Sequence, residues 1–368
     1  MSSPTSSPMS GPISAPTITG PQPATQRKRP ELQVPDGPRH ARIHGIGAYR
    51  PERVVTNEEI CRHIDSSDEW IRQRTGIVER RFAAADETVI DMAEHASLAA
   101  MDMAGVTAED IDVILVATIS HPYQTPAAAP MLAVRLGVPD PAAVDLSAAC
   151  AGYCYGIGMA SDMIRAGSAR HVLVVGVEKL SDFTDPTDRG TAFIFGDGAG
   201  AAVVGPSDFP GIGPTLWGSD GEHWDKITQR QSWTELRPAM EDPDRAEPIS
   251  WPSFAMQGQS VFRWAVFSMA PVARRTIEAS GITSEDLDAF VPHQANLRIT
   301  DAMVKTLKLP PEIAVAKDIA ETGNTSAASV PLAMARMLDE GEVSSGGLAL
   351  QIGFGAGLVY AAQVVVMP

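Results

Sequence analysis

The sequence predicts an α/β protein made of two similar halves, and an internal repeat is the main reason. GVTAEDIDVILVA (105–117) returns as GITSEDLDAFVPH (281–293), 176 residues further along the chain. A second pair, IRAGSARHVLVVGV (164–177) and LDEGEVSSGGLALQIGF (338–354), aligns at its glycines with an offset of 174. Two similarities at nearly one offset indicate a duplication. The apolar runs inside the repeats are typical of buried, mostly parallel strands.

The first half should alternate strands and helices. Strands are predicted from aliphatic and β-branched runs bounded by turn residues, and helices from their caps and Gly stops. The expected elements, in chain order, are a strand over 41–51, a helix capped by Asn57 and reaching about His63, helices over 65–76 and 88–105, a strand over 112–120, a helix over 127–136, a strand ending at Asp145, a helix closed by Gly167, and strands over 171–177 and 198–205.

The second half begins less clearly. Residues 206–255 contain Pro, Gly and Trp, and we expect them to be irregular. A long helix should follow over 259–281, then the strand AFVPH and an Ala/Ser-rich helix after ETGNTSAAS. The expected domains are therefore a tail over 1–38, an N-terminal half over 39–206 and a C-terminal half over 207–368. The tail is rich in Ser, Pro and Thr and has no apolar signal core, which predicts disorder.

Composition indicates a soluble globular protein. The chain has 368 residues, 44% of them hydrophobic and 20% charged, enough for one large domain or two of ordinary size. No apolar run reaches membrane-spanning length, and the net charge of −16 argues against general nucleic-acid binding. Cys61, Cys150 and Cys154 form no disulfide framework, which favours a reducing cytoplasm. No metal site and no resident cofactor are expected.

The stretch from Val144 to Arg165, VDLSAACAGYCYGIGMASDMIR, is the first candidate for chemistry. It has the pattern of a strand, a tight turn and a helix, with Cys150 at or near the helix N-terminus. The positive end of the helix dipole and free backbone N–H groups there favour the thiolate, which is the nucleophilic form. The alternative is a small buried cysteine in a tightly packed Ala/Gly helix.

The repeat supplies two partners for this thiol. An offset of 174 from Cys150 leads to Asn324, and an offset of 176 from Ala117 leads to His293 at the end of the strand AFVPH. Ligands of α/β sheets gather at the carboxyl ends of strands and at helix N-termini. If the halves pack about a pseudo-twofold axis, a thiol, an imidazole and a carboxamide can converge. Taken singly, His293 could be a core histidine and Asn324 a helix cap.

Several long motifs resemble a known family. AACAGYCYG, DPTDRGTAFIFGDGAGAAV (185–203), VPHQANLRI (291–299) and GNTSAASVP (323–331) are similar to motifs of β-ketoacyl-acyl-carrier-protein synthase III, in the thiolase superfamily. The similarity covers about residues 40–368 and includes SSDEWIRQRTGI (66–77). It implies a five-layered αβαβα sandwich of two similar halves, usually a homodimer, in agreement with the repeat.

The resemblance implies a reaction in two parts. Cys150 would take an acyl group from acyl-CoA as a thioester, and malonyl-acyl-carrier protein would then lose CO₂ and attack that thioester through carbon. His293, through a ring N–H, and Asn324, through its amide NH₂, can donate hydrogen bonds to the enolate that forms. A second oxyanion hole, for acylation, would use the backbone N–H groups of Cys150 and Ala356.

The resemblance also implies residues that bind CoA. Trp70 and Arg189 match the pair that sandwiches the adenine by stacking and cation–π contact. Arg74 matches a phosphate contact, while Gly258 and Asn296 match positions along the pantetheine tunnel. The alternative for Trp70 is a packing residue of an amphipathic helix.

The preferred primer depends on the acyl pocket. Phe195 matches a wall of that pocket. In the family, the segment matching ISHPYQTPAAAP (119–130) closes the pocket of the partner subunit, and relatives that favour acetyl-CoA carry Phe where this chain has Thr125. The smaller side chain predicts a deeper pocket and primers longer than acetyl. Alternatively, Thr125 is a plain loop residue, and Phe195 or Tyr153 limits the pocket.

An acidic carrier protein requires a basic docking patch on this acidic chain. Arg298 and Lys305 match the docking helix of the family, and Arg263 stands where a Lys is usual. Seven residues separate Arg298 from Lys305, so one helical face can present both. The alternative is ordinary surface charge.

Three other functions remain open. A related Cys-His-Asn condensing enzyme could use malonyl-CoA and make polyketide starters, an acyltransferase could use the same fold without decarboxylation, and a silent scaffold could bind without catalysis. The intact Asn324 motif favours condensation, because acyl transfer alone needs no enolate donors. The sequence does not distinguish a primary fatty-acid pathway from a secondary-metabolite pathway.

Overall fold

Two five-stranded sheets form the centre of the fold. The computed structural model describes residues 35–241 and 251–368, with strands numbered along the chain. The first sheet contains β1 (His40–Tyr49), β4 (Val113–Ala117), β5 (Ala142–Leu146), β6 (Val172–Lys179) and β7 (Asp197–Ser207). The second contains β8 (Leu216–Ser219), β11 (Ala289–Pro292), β12 (Ala314–Val315), β13 (Leu348–Gly355) and β14 (Val359–Val366). Two-stranded ribbons pair β2 (Arg53–Thr56) with β3 (Glu79–Phe82), and β9 (Ile227–Gln229) with β10 (Phe254–Met256).

Helices form three layers around the two sheets. In chain order they are α1 (Asn57–Ile60), α2 (Asp68–Thr75), α3 (Val89–Ala104), α4 (Ala128–Leu136), α5 (Gly152–Arg165), α6 (Trp233–Glu241), α7 (Gly258–Ala279), α8 (Leu297–Leu307), α9 (Ile319–Thr322) and α10 (Ser329–Asp339). Helices α3 and α4 cover the outer face of the first sheet, α5 and α10 lie between the sheets, and α7 and α8 cover the second. This confirms the five-layered αβαβα sandwich.

Both sheets have the same strand order, as the repeat predicts. The first runs β1-β7-β6-β4-β5 and the second β8-β14-β13-β11-β12, so the repeated segments supply β4 with β11 and β6 with β13. The expectation of mostly parallel strands is wrong, because in each sheet two of the four pairings are antiparallel. Apolar runs report burial on both faces of a sheet and do not encode strand direction.

Most predicted helix ends are found where the caps place them. Thr88 caps α3 by accepting a hydrogen bond from the Asp91 N–H at 3.2 Å, while the Asp91 carboxylate accepts from the Thr88 N–H at 2.8 Å. Gly105 ends the same helix with a φ of 66°. The reciprocal bonds satisfy backbone donors that the first helical turn leaves open, so the helix predicted over 88–105 is confirmed.

The cap predicted at Asn57 is wrong. The Thr56 hydroxyl caps α1 instead, and the helix ends at Ile60. Asn57 is buried, and its side-chain amide donates to Asp68 at 2.8 Å and to the Ile77 carbonyl at 2.9 Å. Both residues are good helix caps, and tertiary contacts decide between them.

The region 206–255 is more regular than predicted. It contains β8, β9, α6 and β10, although 242–250 lie outside the described residues. These strands have three or four residues each, too few for an alternating pattern to stand out in the sequence. The predicted tail, except 35–38, also lies outside the described residues. In the part of the chain that the structure describes, no helix has both the length and the apolarity to cross a membrane.

Strand β6 packs against the second half at a point with no side chain. A Cβ atom built on Gly176 would lie 2.3 Å from the carbonyl oxygen of Ala327, in the turn before α10. A carbon atom cannot approach a carbonyl oxygen so closely. Any side chain at this position must therefore push β6 and the turn apart.

We expect Gly176→Ala to lower the free energy of unfolding by about 1–3 kcal/mol, the range for overpacked cores. The matched control is Gly221→Ala, whose new Cβ has no neighbouring atom within 4 Å and should change stability by less than about 0.5 kcal/mol. Urea unfolding of both variants measures the difference. Equal stabilities would contradict the close contact.

Candidate active site

Cys150 lies in a sharp turn between β5 and α5, as predicted. Ala149, just before it, has a φ of 43°, in the left-handed region that L-residues seldom adopt. Strand β13 passes directly over the thiol, since a Cβ on Gly355 would lie 2.7 Å from the Cys150 Sγ. Backbone on two sides therefore fixes the sulfur.

The Cys150 thiol keeps its proton in the free protein. Although part of the residue faces the cavity, surrounding protein atoms desolvate the sulfur, and burial raises the pKa of the thiol to about 12. The Ser326 hydroxyl and the backbone N–H groups of Cys150 and Ala356 act in the opposite direction. Burial thus shifts the pKa of the thiol in the direction opposite to that predicted from the helix dipole, because desolvation outweighs the hydrogen bonds that favour the thiolate.

His293 follows β11 with its ring buried and neutral. Burial lowers the pKa of the imidazole to about 3. The ring Nδ1 lies 2.7 Å from the Ser329 Oγ, and this oxygen accepts a hydrogen bond from the Gln294 N–H at 3.4 Å. No other acceptor for the Ser329 hydroxyl is found within 35–241 and 251–368, so its proton points at Nδ1. The ring proton is then on Nε2.

Asn324 is held by hydrogen bonds that leave its NH₂ group available. Its backbone N–H donates to the Ile194 carbonyl at 2.9 Å, and its carbonyl accepts from the Gly196 N–H at 3.0 Å. The side-chain Oδ1 accepts from the Ser326 N–H at 2.8 Å, which fixes the orientation of the amide. Among the described residues the Nδ2 atom has no partner, so it can donate into the cavity.

The repeat predicted Asn324 as the equivalent of Cys150 from an offset of 174 residues. In the structure the equivalent turns are three residues further apart along the chain. Ala149 and Ser326 both have positive φ values, 43° and 48°, and begin equivalent turns before α5 and α10. Cys150 therefore corresponds to Ala327, and Asn324 lies in the loop before that turn. The position just before a central helix was predicted correctly, but the residue equivalence was not.

The thiol, imidazole and carboxamide line one cavity of about 860 Å³ between the halves. This volume suits a small-molecule site. Within the described chain, none of the residues that line the cavity is acidic, whereas three are arginines: Arg74, Arg263 and Arg298. Guanidinium groups bind phosphates and carboxylates well, so the cavity suits an anionic ligand despite the negative charge of the whole chain.

Comparisons with known proteins identify the family. The model of 3-oxoacyl-[acyl-carrier-protein] synthase III matches residues 144–221, and the model of its C-terminal region matches 277–367. β-Ketoacyl-[acyl-carrier-protein] synthase III 1 of Streptomyces coelicolor is 56% identical over 341 residues, covering 92% of this chain and 99% of the relative. The chain belongs to the 3-oxoacyl-[acyl-carrier-protein] synthase III family.

Two further relatives agree with this membership. The β-ketoacyl-[acyl-carrier-protein] synthase III of Kocuria rhizophila is 52% identical over 344 residues, covering 89% of this chain and 97% of the relative. The solved priming β-ketosynthase of the R1128 polyketide biosynthetic pathway is 47% identical with a TM-score of 0.87, covering 92% of this chain and 99% of that structure. The family resemblance found in the sequence is confirmed.

In this synthase, the residues matched to CoA binding surround the mouth of the cavity. Trp70, Arg74, Gly258 and Asn296 line it, and Arg189 lies beside Trp70. The guanidinium carbon of Arg189 is 6.0 Å from the centre of the Trp70 ring. An aromatic ring stacked between them needs about 7 Å, two van der Waals separations. The exposed Arg189 side chain would have to move outward by about 1 Å to admit an aromatic ring, and adenine binding by this pair stays a prediction.

The amide of Asn296 is already used by the fold. Its Oδ1 accepts from the Arg298 N–H at 3.0 Å and caps α8, while its Nδ2 donates to the Arg74 carbonyl at 3.0 Å. Asn296 thus joins α8 to α2 at the cavity mouth. A contact with the pantetheine chain stays a prediction.

The two residues matched to the acyl pocket lie in different places. Phe195 is buried and lines the cavity, whereas Thr125 is exposed and does not line the cavity of its own chain. Tyr153, the alternative limit of the pocket, is fully buried in the core and does not line it either. The primer gate at Thr125 thus requires a second copy of the chain and stays a prediction.

The residues matched to carrier-protein docking are all exposed. Arg263 and Arg298 line the cavity mouth, and the Arg298 guanidinium lies 5.4 Å from the centre of the Phe262 ring. Lys305 lies seven residues further along α8 and outside the cavity. Docking by these three side chains stays a prediction.

Sequence reasoning did not single out Ser329, Ser326 or Glu178. Ser329 orients the His293 ring, and the Ser326 hydroxyl lowers the pKa of the Cys150 thiol. Both serines belong to GNTSAASVP, where polar side chains at the start of a buried helix were a usable signal. Glu178 is a carboxylate directly after the apolar run HVLVVGV, and that contrast was also visible in the sequence.

We expect the His293 ring to stay neutral, with its proton on Nε2, from pH 8 down to about pH 4, and ¹⁵N NMR of histidine-labelled protein measures this. The folded pKa of about 3 lies below the unfolded value of about 6.5. Between these values only the unfolded state binds the proton, so stability falls as pH falls through this window.

His293→Gln should weaken this dependence of stability on pH. Ser329→Ala should give a mixture of the two neutral tautomers of the His293 ring. A ring that protonates near pH 6.5 would contradict the assignment.

Proposed function

We propose that this synthase condenses an acyl-CoA primer with malonyl-[acyl-carrier protein], giving β-ketoacyl-[acyl-carrier protein], CoA and CO₂. The reaction would begin fatty-acid or related polyketide synthesis. Family membership supports the reaction class. The observation that carries the proposal is a thiol, a neutral imidazole and a carboxamide NH₂ facing one arginine-lined cavity.

Acylation is assigned to Cys150. The sulfur attacks the thioester carbonyl of the primer, and the carbonyl oxygen becomes negative in the tetrahedral intermediate. The backbone N–H groups of Cys150 and Ala356 lie near the sulfur and would stabilise that oxygen. Because amide N–H groups do not titrate, this hole works at any pH at which the protein is folded.

Decarboxylation and condensation are assigned to His293 and Asn324. Loss of CO₂ from the malonyl group builds negative charge on its thioester oxygen. The Nε2–H of His293 and the Nδ2 amide of Asn324 are donors that keep no internal partner in the described residues. A ring with a pKa of about 3 cannot serve as a general base that holds a proton at neutral pH, so donation is the role that its chemistry supports.

A second candidate is the making of polyketide starter units. The similarity to the priming β-ketosynthase of the R1128 polyketide pathway, at a TM-score of 0.87, favours it specifically. The chemistry at Cys150 is the same in both. Product analysis with a panel of primers and with malonyl-carrier protein or malonyl-CoA as extender distinguishes the two.

The proposal includes a homodimer in the cytoplasm, with acyl-CoA and malonyl-carrier protein as partners and with no resident cofactor, nucleic acid or membrane. The edge strand β5 supports the dimer. Val144 on this strand is 45% exposed, and Val134 on the adjacent α4 is 81% exposed. Open apolar strand edges are normally covered in folded proteins. A second copy at this edge would also bring the 119–130 segment of one chain near the other.

We expect the two parts of the reaction to separate by mutation. Cys150→Ser should form no acyl-enzyme, because a hydroxyl ionises far less readily than a thiol. His293→Ala and Asn324→Ala should still be acylated but lose decarboxylation by roughly 10²–10³-fold each. Mass spectrometry measures acylation, and release of labelled CO₂ measures decarboxylation. Loss of acylation with decarboxylation retained would reverse the assignment.

We expect the wild-type enzyme to prefer primers longer than acetyl-CoA and Thr125→Phe to shift the preference toward acetyl. Each CH₂ buried in the deeper pocket contributes about 0.8 kcal/mol. The relative kcat/KM for acetyl-, isobutyryl- and longer acyl-CoA measures the effect. Tyr123→Phe, an exposed change in the same loop, is the control. An acetyl preference in the wild type, or no shift in Thr125→Phe, would refute the gate.

A further inference from the structure

A buried carboxyl group near Cys150 has no role in the proposed acylation, decarboxylation or condensation. Glu178, in β6, is fully buried. Its Oε2 accepts from the hydroxyls of Ser120 at 2.6 Å and Thr118 at 3.2 Å and from the Ile119 N–H at 3.1 Å. Its Oε1 has no such partner in the described residues. A half-satisfied buried carboxyl group is costly, which suggests that Oε1 has another use.

Ser326 lies between this carboxyl group and the thiol. Its Oγ is buried and has no partner with full hydrogen-bond geometry in the described part of the chain. The hydroxyl is nevertheless close enough to lower the pKa of both the Cys150 thiol and the Glu178 carboxyl. Ser326 begins the turn before α10, and this turn packs against β6, which carries Glu178, and against the turn that carries Cys150. The turn that carries Ser326 therefore lies next to both the thiol and the carboxyl group.

We propose that Glu178 receives the Cys150 proton through the Ser326 hydroxyl when the primer acylates the enzyme. The S–H proton moves to the Ser326 oxygen as the Ser326 proton moves to Oε1 of Glu178. The sulfur electron pair forms the new C–S bond, and CoA leaves as a thiolate that takes a proton from water. When the condensation step releases Cys150 as a thiolate, the same path returns a proton to it. The inference rests on the proposed role of Cys150.

The surrounding chemistry favours Glu178 over His293 as the proton acceptor. Burial raises the pKa of the Glu178 carboxyl to about 7, close to the pH at which an acid–base group works best. The His293 ring, in contrast, has a pKa lowered to about 3, and its Nδ1 is occupied by Ser329. Glu178 does not touch substrate and acts only through Ser326.

Other ionisable groups near β6 are engaged elsewhere. Lys179 donates to the Ala84 and Glu87 carbonyls, Asp197 on β7 accepts from Ser181, and His121 lies 3.2 Å from the Pro126 carbonyl. On the helices packed against β6, none of the described ionisable side chains bonds the Glu178 carboxyl: Asp91, Glu94, His95 and Asp102 on α3, and Tyr153, Cys154, Tyr155, Asp162 and Arg165 on α5. Cys150 is the group whose pKa the Glu178 charge raises.

Single-turnover acylation followed by mass spectrometry from pH 5 to 9 tests the relay. The wild-type rate constant should rise through an inflection near pH 7, where Glu178 ionises. Glu178→Gln should remove this inflection and slow acylation by about 10²-fold or more. Ser326→Ala should have a similar effect, and the double variant should be no slower than either single variant, because both break one path.

Asp197→Asn is the matched control. Asp197 is also buried, with the pKa of its carboxyl raised to about 6, but it bonds Ser181 and does not face the thiol. This variant should keep the inflection near pH 7, with circular dichroism confirming that all variants fold. Unchanged profiles in Glu178→Gln, or additive losses in the double variant, would overturn the relay.

Alkylation of Cys150 by iodoacetamide provides a readout that needs no CoA binding. Loss of the Glu178 charge alone would lower the pKa of the Cys150 thiol and speed alkylation, whereas loss of the relay should slow it at pH 7.5. We therefore expect Glu178→Gln to react more slowly than the wild type and Asp197→Asn to resemble the wild type. Equal alkylation rates in Glu178→Gln and the wild type would overturn the relay, even if the variant no longer binds primer.

If wild-type Cys150 is not acylated by acyl-CoA at all, the proposed function fails. If Cys150 is acylated but the pH profile of Glu178→Gln equals that of the wild type, the relay alone fails.

Discussion

The close contact between the two halves at the turns before α5 and α10 is the constraint on which the site depends. At Gly176 a Cβ would lie 2.3 Å from the Ala327 carbonyl oxygen, and at Gly353 it would lie 2.9 Å from the Cys150 carbonyl oxygen. Backbone therefore packs directly on backbone. The thiol of one half and the donors of the other are positioned by this packing, which leaves little room for adjustment.

The chemistry of the cavity follows from burial as much as from residue type. Desolvation keeps the Cys150 thiol protonated, the His293 ring neutral and the Glu178 carboxyl near the middle of its titration at neutral pH. Neutral donors facing a site without acidic lining residues are suited to stabilising charge that develops during reaction. The arginines stand at the mouth, where they can attract anionic substrates to an acidic protein.

Much of the fold was predictable because the internal sequence repeat covers central strands of both halves. The repeat predicted the equivalence of β4 with β11 and of β6 with β13, and local caps predicted the ends of α3. The sequence did not predict strand direction, the short strands within 206–255 or the cap at Thr56. These features depend on tertiary pairing, which leaves no periodic trace in segments of three or four residues.

In the candidate site too, some residues could be predicted from the sequence and others depend on tertiary contacts. Cys150, His293 and Asn324 were found from strand ends and helix starts, since those positions follow from topology. For Cys150, the helix dipole that favours the thiolate can be inferred from sequence, whereas the burial that raises the pKa of the thiol cannot. Ser326 approaches Cys150 and Glu178 from the other half, and Ser329 reaches His293 from a different element of the same half, so no spacing along the chain encodes these contacts.

Transfer of a labelled acyl group from the isolated enzyme tests the central claim most directly. The wild-type enzyme is acylated with labelled acyl-CoA, freed of CoA and given malonyl-[acyl-carrier protein]. The account predicts that the label leaves Cys150 and appears on the carrier protein as a β-ketoacyl group, with one CO₂ released for each label transferred. Label that stays on the protein, or that appears as free acid without matching CO₂, would contradict it.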